Sequence, residues 1–363
     1  MVCLHATDPA TVYLSARARV DAMTVGELEH ALYVDRSLVK HLAMRRTLFV
    51  FPRETLACAQ AGASNRVADA ERRRLIRDVE RAGLHRDAER WLAVASQQVL
   101  ALLCDGREAS SSQLRDEIAL LEGAIVYGEG KTWGGKVPVG PRVLSALAAA
   151  GLIVRATNDG AWKVSRPRWA SMTSWLGEEI APLREAEGVA GLVELWLRAF
   201  GPGTAADIKW WLGSTVAAVR RALVDLHAVE VELGDGQTGH VLPDDLEATD
   251  PVEPWAALLP ALDATTMGWA WRDWYLGPHR SQLFDTSGNA GATAWWEGRI
   301  VGGWRQSDSG EVDLQLLEDP GSEARQALEH EAARLSGWLH GVRVQPRFPS
   351  PLSKAAVRAA GDV

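Results

Sequence analysis

The hydrophobic pattern is most regular between Val189 and Leu242. Val189–Phe200 is apolar at helical spacing and ends at Gly201-Pro202-Gly203. Thr204 is suited to cap a short helix, Ala205–Leu212. Gly213 interrupts, Ser214 is placed to cap again, and Val216–Leu226 repeats apolar residues at 216, 219, 223 and 226. A strand, Val229–Leu233, a Gly/Asp-rich turn and a returning strand from His240 follow. Three helices and a β-hairpin in this order predict a winged helix-turn-helix.

The order recurs upstream. Arg90–Cys104, Ser112–Leu121 and Pro141–Ala150 read as helices, with an insertion, Gly128–Gly140, between the second and third. Gly151–Arg155, an Asn158-Asp-Gly turn and Trp162–Ser165 read as the hairpin. A looser copy near the start has helices Thr24–Tyr33 and Arg36–Met44 and a strand, Thr47–Phe51. Past Pro251 the pattern changes to a three-stranded antiparallel meander (Thr293–Trp296, Arg299–Trp304, Glu311–Leu317), a helix, Ser322–Leu339, and a Pro-rich basic tail. The fold class expected is mainly α with β-hairpin wings (α+β), as tandem winged-helix units and a C-terminal antiparallel β-domain. The boundaries expected are 1–88, 89–186, 187–250 and 251–363.

Composition sharpens this. The 363 residues are 47% hydrophobic and 24% charged, and no apolar run approaches the ~20 residues of a membrane span. Three scattered cysteines suit neither a disulfide framework nor a metal cluster, which points to a reducing cytoplasm. The net charge of −8 argues against nucleic acid, yet Arg36–Arg90 carries thirteen Lys/Arg against seven Asp/Glu. Phosphate contacts need local positive charge, not a positive total. Lys40, Arg45, Arg46, Arg72, Arg73 and Arg74 are the candidates there, with Lys131 in the insertion. The Arg72–Arg74 run sits among Glu71, Asp78 and Glu80 and is equally well read as a solvated helix face. The Trp-rich C-terminal region reads mainly as the core of a thin sheet. Some of its rings, with the Gly288-Asn289-Ala290-Gly291 loop, are placed to meet a groove or an unstacked base.

Common catalytic signatures are missing: no phosphate-binding loop, dinucleotide fingerprint, H-E-x-x-H or G-x-S-x-G. No metal or organic cofactor is indicated. Chemistry is placed instead at Leu4-His5-Ala6-Thr7-Asp8-Pro9. Asp8 and Pro9 make a good helix start on structural grounds alone. His5 and Thr7 alternate onto one side of the chain just before that helix N-terminus, where a water is easily held.

Several strings together resemble the winged-helix DNA glycosylase family typified by AlkZ and YcaQ. They are the opening His-Ala-Thr-Asp-Pro-Ala-Thr, Arg36-Ser-Leu-Val-Lys-His-Leu-Ala-Met-Arg-Arg, Thr266-Met-Gly-Trp, Arg272-Asp-Trp-Tyr-Leu-Gly, Gly288-Asn-Ala-Gly, Trp296-Glu-Gly-Arg-Ile-Val-Gly-Gly-Trp and Arg347-Phe-Pro-Ser-Pro-Leu. The resemblance implies tandem winged helices in a C-shape with a C-terminal β-domain. It implies hydrolysis of the N-glycosidic bond of alkylated purines, bulky adducts and crosslinks included. It places the family's Gln-x-Gln or Gln-x-Asp pair at His5 and Thr7, with Asp8 following, so the catalytic set is His5, Thr7 and Asp8. The substitution is a departure: His5 accepts a proton near neutral pH, which glutamine does not. Relatives also carry a helical segment before the motif, where here only Met1–Leu4 precede it, so an upstream start or a truncated form is expected. Asn289 and Arg347 complete the DNA-contact set. The partner expected is damaged duplex DNA, bound by a monomer in the cytoplasm, on the nucleoid. The alternatives are a non-catalytic DNA-binding protein or transcriptional regulator, and a binder of the genotoxin itself.

Overall fold

The computed structural model describes residues 1–127, 135–234 and 236–354. They fall into two compact units. One comprises Met1–Leu28, Glu194–Trp211 and Leu223–Val363; the other comprises Glu29–Val193 and Leu212–Ala222. Both ends of the chain therefore belong to one unit.

In the second unit Leu38–Ala43 and Thr47–Pro52 are antiparallel strands, in register from Leu38 opposite Pro52 to Ala43 opposite Thr47. This corrects the expected helix Arg36–Met44. A short apolar run satisfies either period, and here every second side chain (Val39, His41, Ala43) is buried, as a strand requires. Burial pushes the His41 imidazole down to about 4, so it sits in the core as a neutral ring. Arg45 and Arg46 turn the hairpin with φ of 53° and 61°, left-handed values that cost a non-glycine residue roughly 1–2 kcal/mol.

The next helices, Ala88–Leu103, Ser111–Glu117 and Gly140–Ala149, follow the expected order. Ser110 and Gln113 close a reciprocal cap at the start of the second. Leu75, Val79, Trp91, Val99, Leu114 and Val143 are among the side chains that fill the core beneath them. The hairpin differs from expectation in its return strand, which is Pro167–Ser171 and not Trp162–Ser165; it pairs with Ile153–Asn158. The Asn158 side chain explains the longer connection. Its amide donates to Gly160 O and Val164 O, and its oxygen accepts from Arg166 N–H. A further hairpin pairs Ala124–Tyr127, just before the insertion, with Gly135–Pro138 inside it. Lys131 lies outside the described residues.

The helix Glu185–Phe200 starts in this unit, and Gly188 there approaches Gly62 in a wide helical turn, Gln60–Ser64. A Cβ on Gly188 would come within 2.4 Å of Gly62 N, and one on Gly62 within 2.6 Å of Gly188 C. Backbone meets backbone, so neither position has room for a methyl group.

The helices Ala205–Leu212 and Val216–Asp225 agree with the sequence, except that the cap of the latter is Thr215 and not Ser214. The Thr215 hydroxyl accepts from Ala218 N–H at 3.2 Å. In the first unit, Val229–Glu232 and Thr238–Val241 form the hairpin. The C-terminal sheet has four antiparallel strands, not three: Ala256–Leu259, Thr293–Trp296, Arg299–Gln306 and Val312–Leu316, in that spatial order. The added edge strand has four residues and follows Pro251 and Pro254, which mask its pattern in the sequence. Glu297 and Gly298 turn the tight hairpin with φ of 46° and 80°. Helix Ser322–Leu339 lies on this sheet, burying Ala324, Leu328, Ala332, Leu335 and Leu339 at spacings of three and four. The tryptophans of this region divide: Trp295 and Trp304 are buried, Trp269, Trp271 and Trp296 half-buried, and Trp255 and Trp274 exposed; Tyr275 stacks on Trp295 with centroids 5.2 Å apart.

Gly188→Ala is expected to lower stability by about 1–3 kcal/mol with helical circular dichroism unchanged. Gly26→Ala, in the helix Val25–Tyr33 where nothing lies within 4 Å of a new Cβ, is expected to raise it by a few tenths to ~1 kcal/mol. Paired thermal or urea melts check both.

Candidate functional site

Leu4–His5 is a two-residue strand, and the helix Pro9–Arg17 starts after three intervening residues. Asp8 sits in extended backbone as the N-cap and accepts from Ala10 N–H at 3.2 Å, with Pro9 at the first helical position. His5 and Thr7 are half-buried while Ala6 and Asp8 are buried, so the two polar side chains share the more open side of the segment. Thr7 N–H points at His5 Nδ1 over 3.4 Å. This long bond favours the neutral tautomer with its proton on Nε2.

Asp8 is 4% exposed, and both of its oxygens are engaged. Oδ1 accepts the cap bond, and Oδ2 accepts Arg347 N–H at 2.8 Å. Burial pushes its carboxyl above the usual range, against the pull of those two N–H groups and of the Arg347 charge. The Arg347 guanidinium reaches back to Thr7 O at 3.3 Å. The tail segment thus crosses the motif and holds it by backbone and side chain together.

The helix behind the motif is fixed just as firmly. Thr11 donates to Ala261 O at 2.8 Å, and Ser15 donates to Asp263 at 2.6 Å. Arg19 forms a two-pronged pair with Asp263, at 2.9 and 2.6 Å. Asp263 is completely buried. The tail has its own seat: a Cβ on Gly291 would meet Ser350 Cβ at 2.5 Å, and one on Gly303 would meet Ala292 O at 2.7 Å and Leu352 at 3.1 Å. Gly291 and Gly303 therefore make room for the Arg347–Leu352 strap. Asn289 is turned into its own loop, with its side-chain amide donating to Asp285 at 2.8 Å and its backbone N–H to the other carboxylate oxygen at 2.8 Å.

Of the expected site residues, the structure brings together His5, Thr7, Asp8 and Arg347, and Asn289 lies in the same unit. The other basic candidates belong to the second unit, where several have partners. Lys40 donates to Tyr33 OH at 2.6 Å, and burial pushes its ammonium down to about 8. Arg46 pairs with Glu71 at 2.6 Å, Arg72 with Glu89 at 2.6 Å, and Arg74 lies 3.9 Å from Asp78. Arg45 and Arg73 are exposed. Sequence reasoning missed Arg19, Ser15 and Asp263, because no local spacing joins residues some 250 positions apart. It also missed the role of Arg272, buried between the rings of Trp210 and Phe284 at 4.7 and 4.8 Å. Among the described residues no three His, Cys, Asp or Glu side chains gather as a metal would need.

The family model for AlkZ-like DNA glycosylases matches residues 1–338, the opening motif included. Among solved structures, the DNA glycosylase AlkZ of Streptomyces sahachiroi superposes with a TM-score of 0.69 at 20% identity. The match covers 96% of this chain and 90% of that one, which shows a shared fold. No curated protein matches. On the extent of the family match, the chain belongs to the AlkZ-like DNA glycosylase family.

Proposed function

We propose that this chain is a monofunctional DNA glycosylase that hydrolyses the N-glycosidic bond of N7-substituted or bulky alkylated purines in duplex DNA. The observation that carries it is the His5–Thr7 pair, presented beside a capped helix in a chain whose family model spans the motif. The helix–helix–helix–hairpin runs serve as winged helices on damaged duplex DNA, and the protein acts as a cytoplasmic monomer on the nucleoid.

An N7-alkylpurine carries a positive charge and leaves as a neutral base, so its departure needs no strong general acid. The C1′–N9 bond breaks with its electron pair going to the purine, and water adds to C1′ of the deoxyribosyl cation and gives up its surplus proton to bulk water. With Thr7 N–H directed at Nδ1, the Nε2–H of neutral His5 donates a hydrogen bond, as the amide of the family's glutamine would. Proton acceptance by His5 at Nε2 then requires the other tautomer. The Thr7 hydroxyl orients the water. Asp8, with both oxygens held by backbone N–H groups, acts as a positioning residue whose charge lies close to the developing cation.

Wild-type protein is expected to release the base from a duplex carrying one N7-methylguanine and leave an abasic site. His5→Ala is expected to keep DNA binding and slow single-turnover release by about 10²–10⁴-fold. Equal rates would remove His5 from the chemistry. Binding without release by the wild type would favour a non-catalytic DNA-binding protein, the reading that the replacement of both glutamines supports.

Arg45 gives a test of the DNA face at an exposed position. It is exposed at a hairpin tip with left-handed backbone, where glycine is at ease. Glycine relieves the left-handed backbone but removes the side chain that packs beside Gly213, so thermal melts of Arg45→Gly are run beside the binding measurement. The variant is expected to weaken DNA binding and reduce the slope of log K against log salt by about one. An unchanged slope would remove Arg45 from the phosphate contacts.

A further inference from the structure

The strap that crosses the motif brings a cation to it. Arg347 is exposed, yet its place is fixed. Its backbone N–H donates to Asp8 Oδ2 at 2.8 Å, its Nη1 donates to Thr7 O at 3.3 Å, and its Cζ lies 5.9 Å from the centroid of the Phe348 ring. Further along, Ser350 is buried in the space that Gly291 leaves, which pins the strap on that side too. A long side chain that is already held in this way loses less freedom when it meets a ligand.

Other arginines of the unit serve carboxylates. Arg17 lies 3.6 Å from Glu331, Arg19 holds Asp263 with both prongs, and Arg305 lies 3.6 Å from Asp313. Arg347 gives its side-chain bond to a neutral carbonyl instead. Asp8 feels the Arg347 charge, but the acceptor bonds of both Asp8 oxygens go to backbone N–H groups. A guanidinium offers five N–H donors in a planar fork that fits a phosphate with two parallel bonds. The breaking glycosidic bond has no use for a cation here, because the purine starts as one and the sugar becomes one. The anionic part of the substrate that suits Arg347 is the phosphodiester.

We propose that the Arg347 guanidinium clamps one of the two DNA phosphates flanking the nucleotide that faces His5 and Thr7, and so sets the register of that nucleotide on the motif. The proposal rests on the reading of His5–Thr7 as the place where the damaged nucleotide is held. The clamp is tied through Thr7 O and Asp8 to the segment that carries the chemistry. Arg347 is thus a positioning residue: it holds the backbone of the substrate, and the motif acts on the sugar.

The test is a double-mutant cycle in binding, with no excision step. The full chain is titrated with a duplex carrying a tetrahydrofuran abasic analogue. Two further duplexes replace the 5′ or the 3′ phosphate of that analogue by an uncharged methylphosphonate. Wild type is expected to lose about tenfold in affinity for one of these two. Arg347→Gln is expected to bind the unsubstituted duplex about tenfold more weakly, with the salt slope reduced by about one, and to be indifferent to that same methylphosphonate. Arg347→Lys, which keeps the charge without the fork, is expected to restore the slope and only part of the affinity. Both variants keep the backbone N–H that Asp8 accepts, and thermal melts check their folding; should the glutamine disturb it, the lysine variant carries the cycle. A merely structural role would weaken all three duplexes alike. Such additivity at both phosphates overturns the proposal, as does unchanged affinity of Arg347→Gln. Coupling to one phosphate in a protein that releases no N7-methylguanine would leave the clamp standing and remove the glycosylase reading. Release without coupling would do the reverse.

Discussion

The site depends on two buried carboxylates that join the beginning of the chain to its end. Asp263, completely buried, takes both prongs of Arg19, the Ser15 hydroxyl and the N–H of Thr265. Asp8 takes the N–H of Ala10 and of Arg347. A carboxylate removed from water is tolerated only when its lone pairs are met, and loss of one partner of a buried pair costs about 3–5 kcal/mol. These groups therefore admit one placement of the helix Pro9–Arg17. The placement of that helix sets where His5 and Thr7 stand.

The same constraint accounts for sequence features far from the motif. Gly291 and Gly303 are small because Ser350, 3% exposed, and Leu352 pack against them, and that packing carries Arg347 to Asp8. Gly62 and Gly188 make the equivalent allowance within the second unit, where two backbones touch. Both are cases of main chain meeting its neighbours where a Cβ does not fit.

Much of the fold was legible where a pattern was long. The helices Ala205–Leu212 and Ser322–Leu339 have the bounds that periodicity assigns. Short apolar runs were not legible, because Leu38–Ala43 fits both periods until its pairing with Thr47–Pro52 decides. Asn158 shows another limit: an Asn-Asp-Gly string suggests a tight turn, while its side chain closes a loop eight residues long. At the site, the Asp8 cap was visible because capping is local. Its second bond, to Arg347, was not, because that partner lies 339 residues away. The exposure of Arg45 and the pairing of Arg46 and Arg72 likewise depend on tertiary neighbours.

The most direct measurement is a structure of the chain bound to duplex DNA carrying a tetrahydrofuran abasic analogue. The account predicts that C1′ of the analogue lies beside His5 and Thr7, with His5 Nε2 within hydrogen-bond reach, about 2.6–3.2 Å, of a water facing C1′. An analogue seated elsewhere, with the His5–Thr7 segment remote from the sugar, would contradict it.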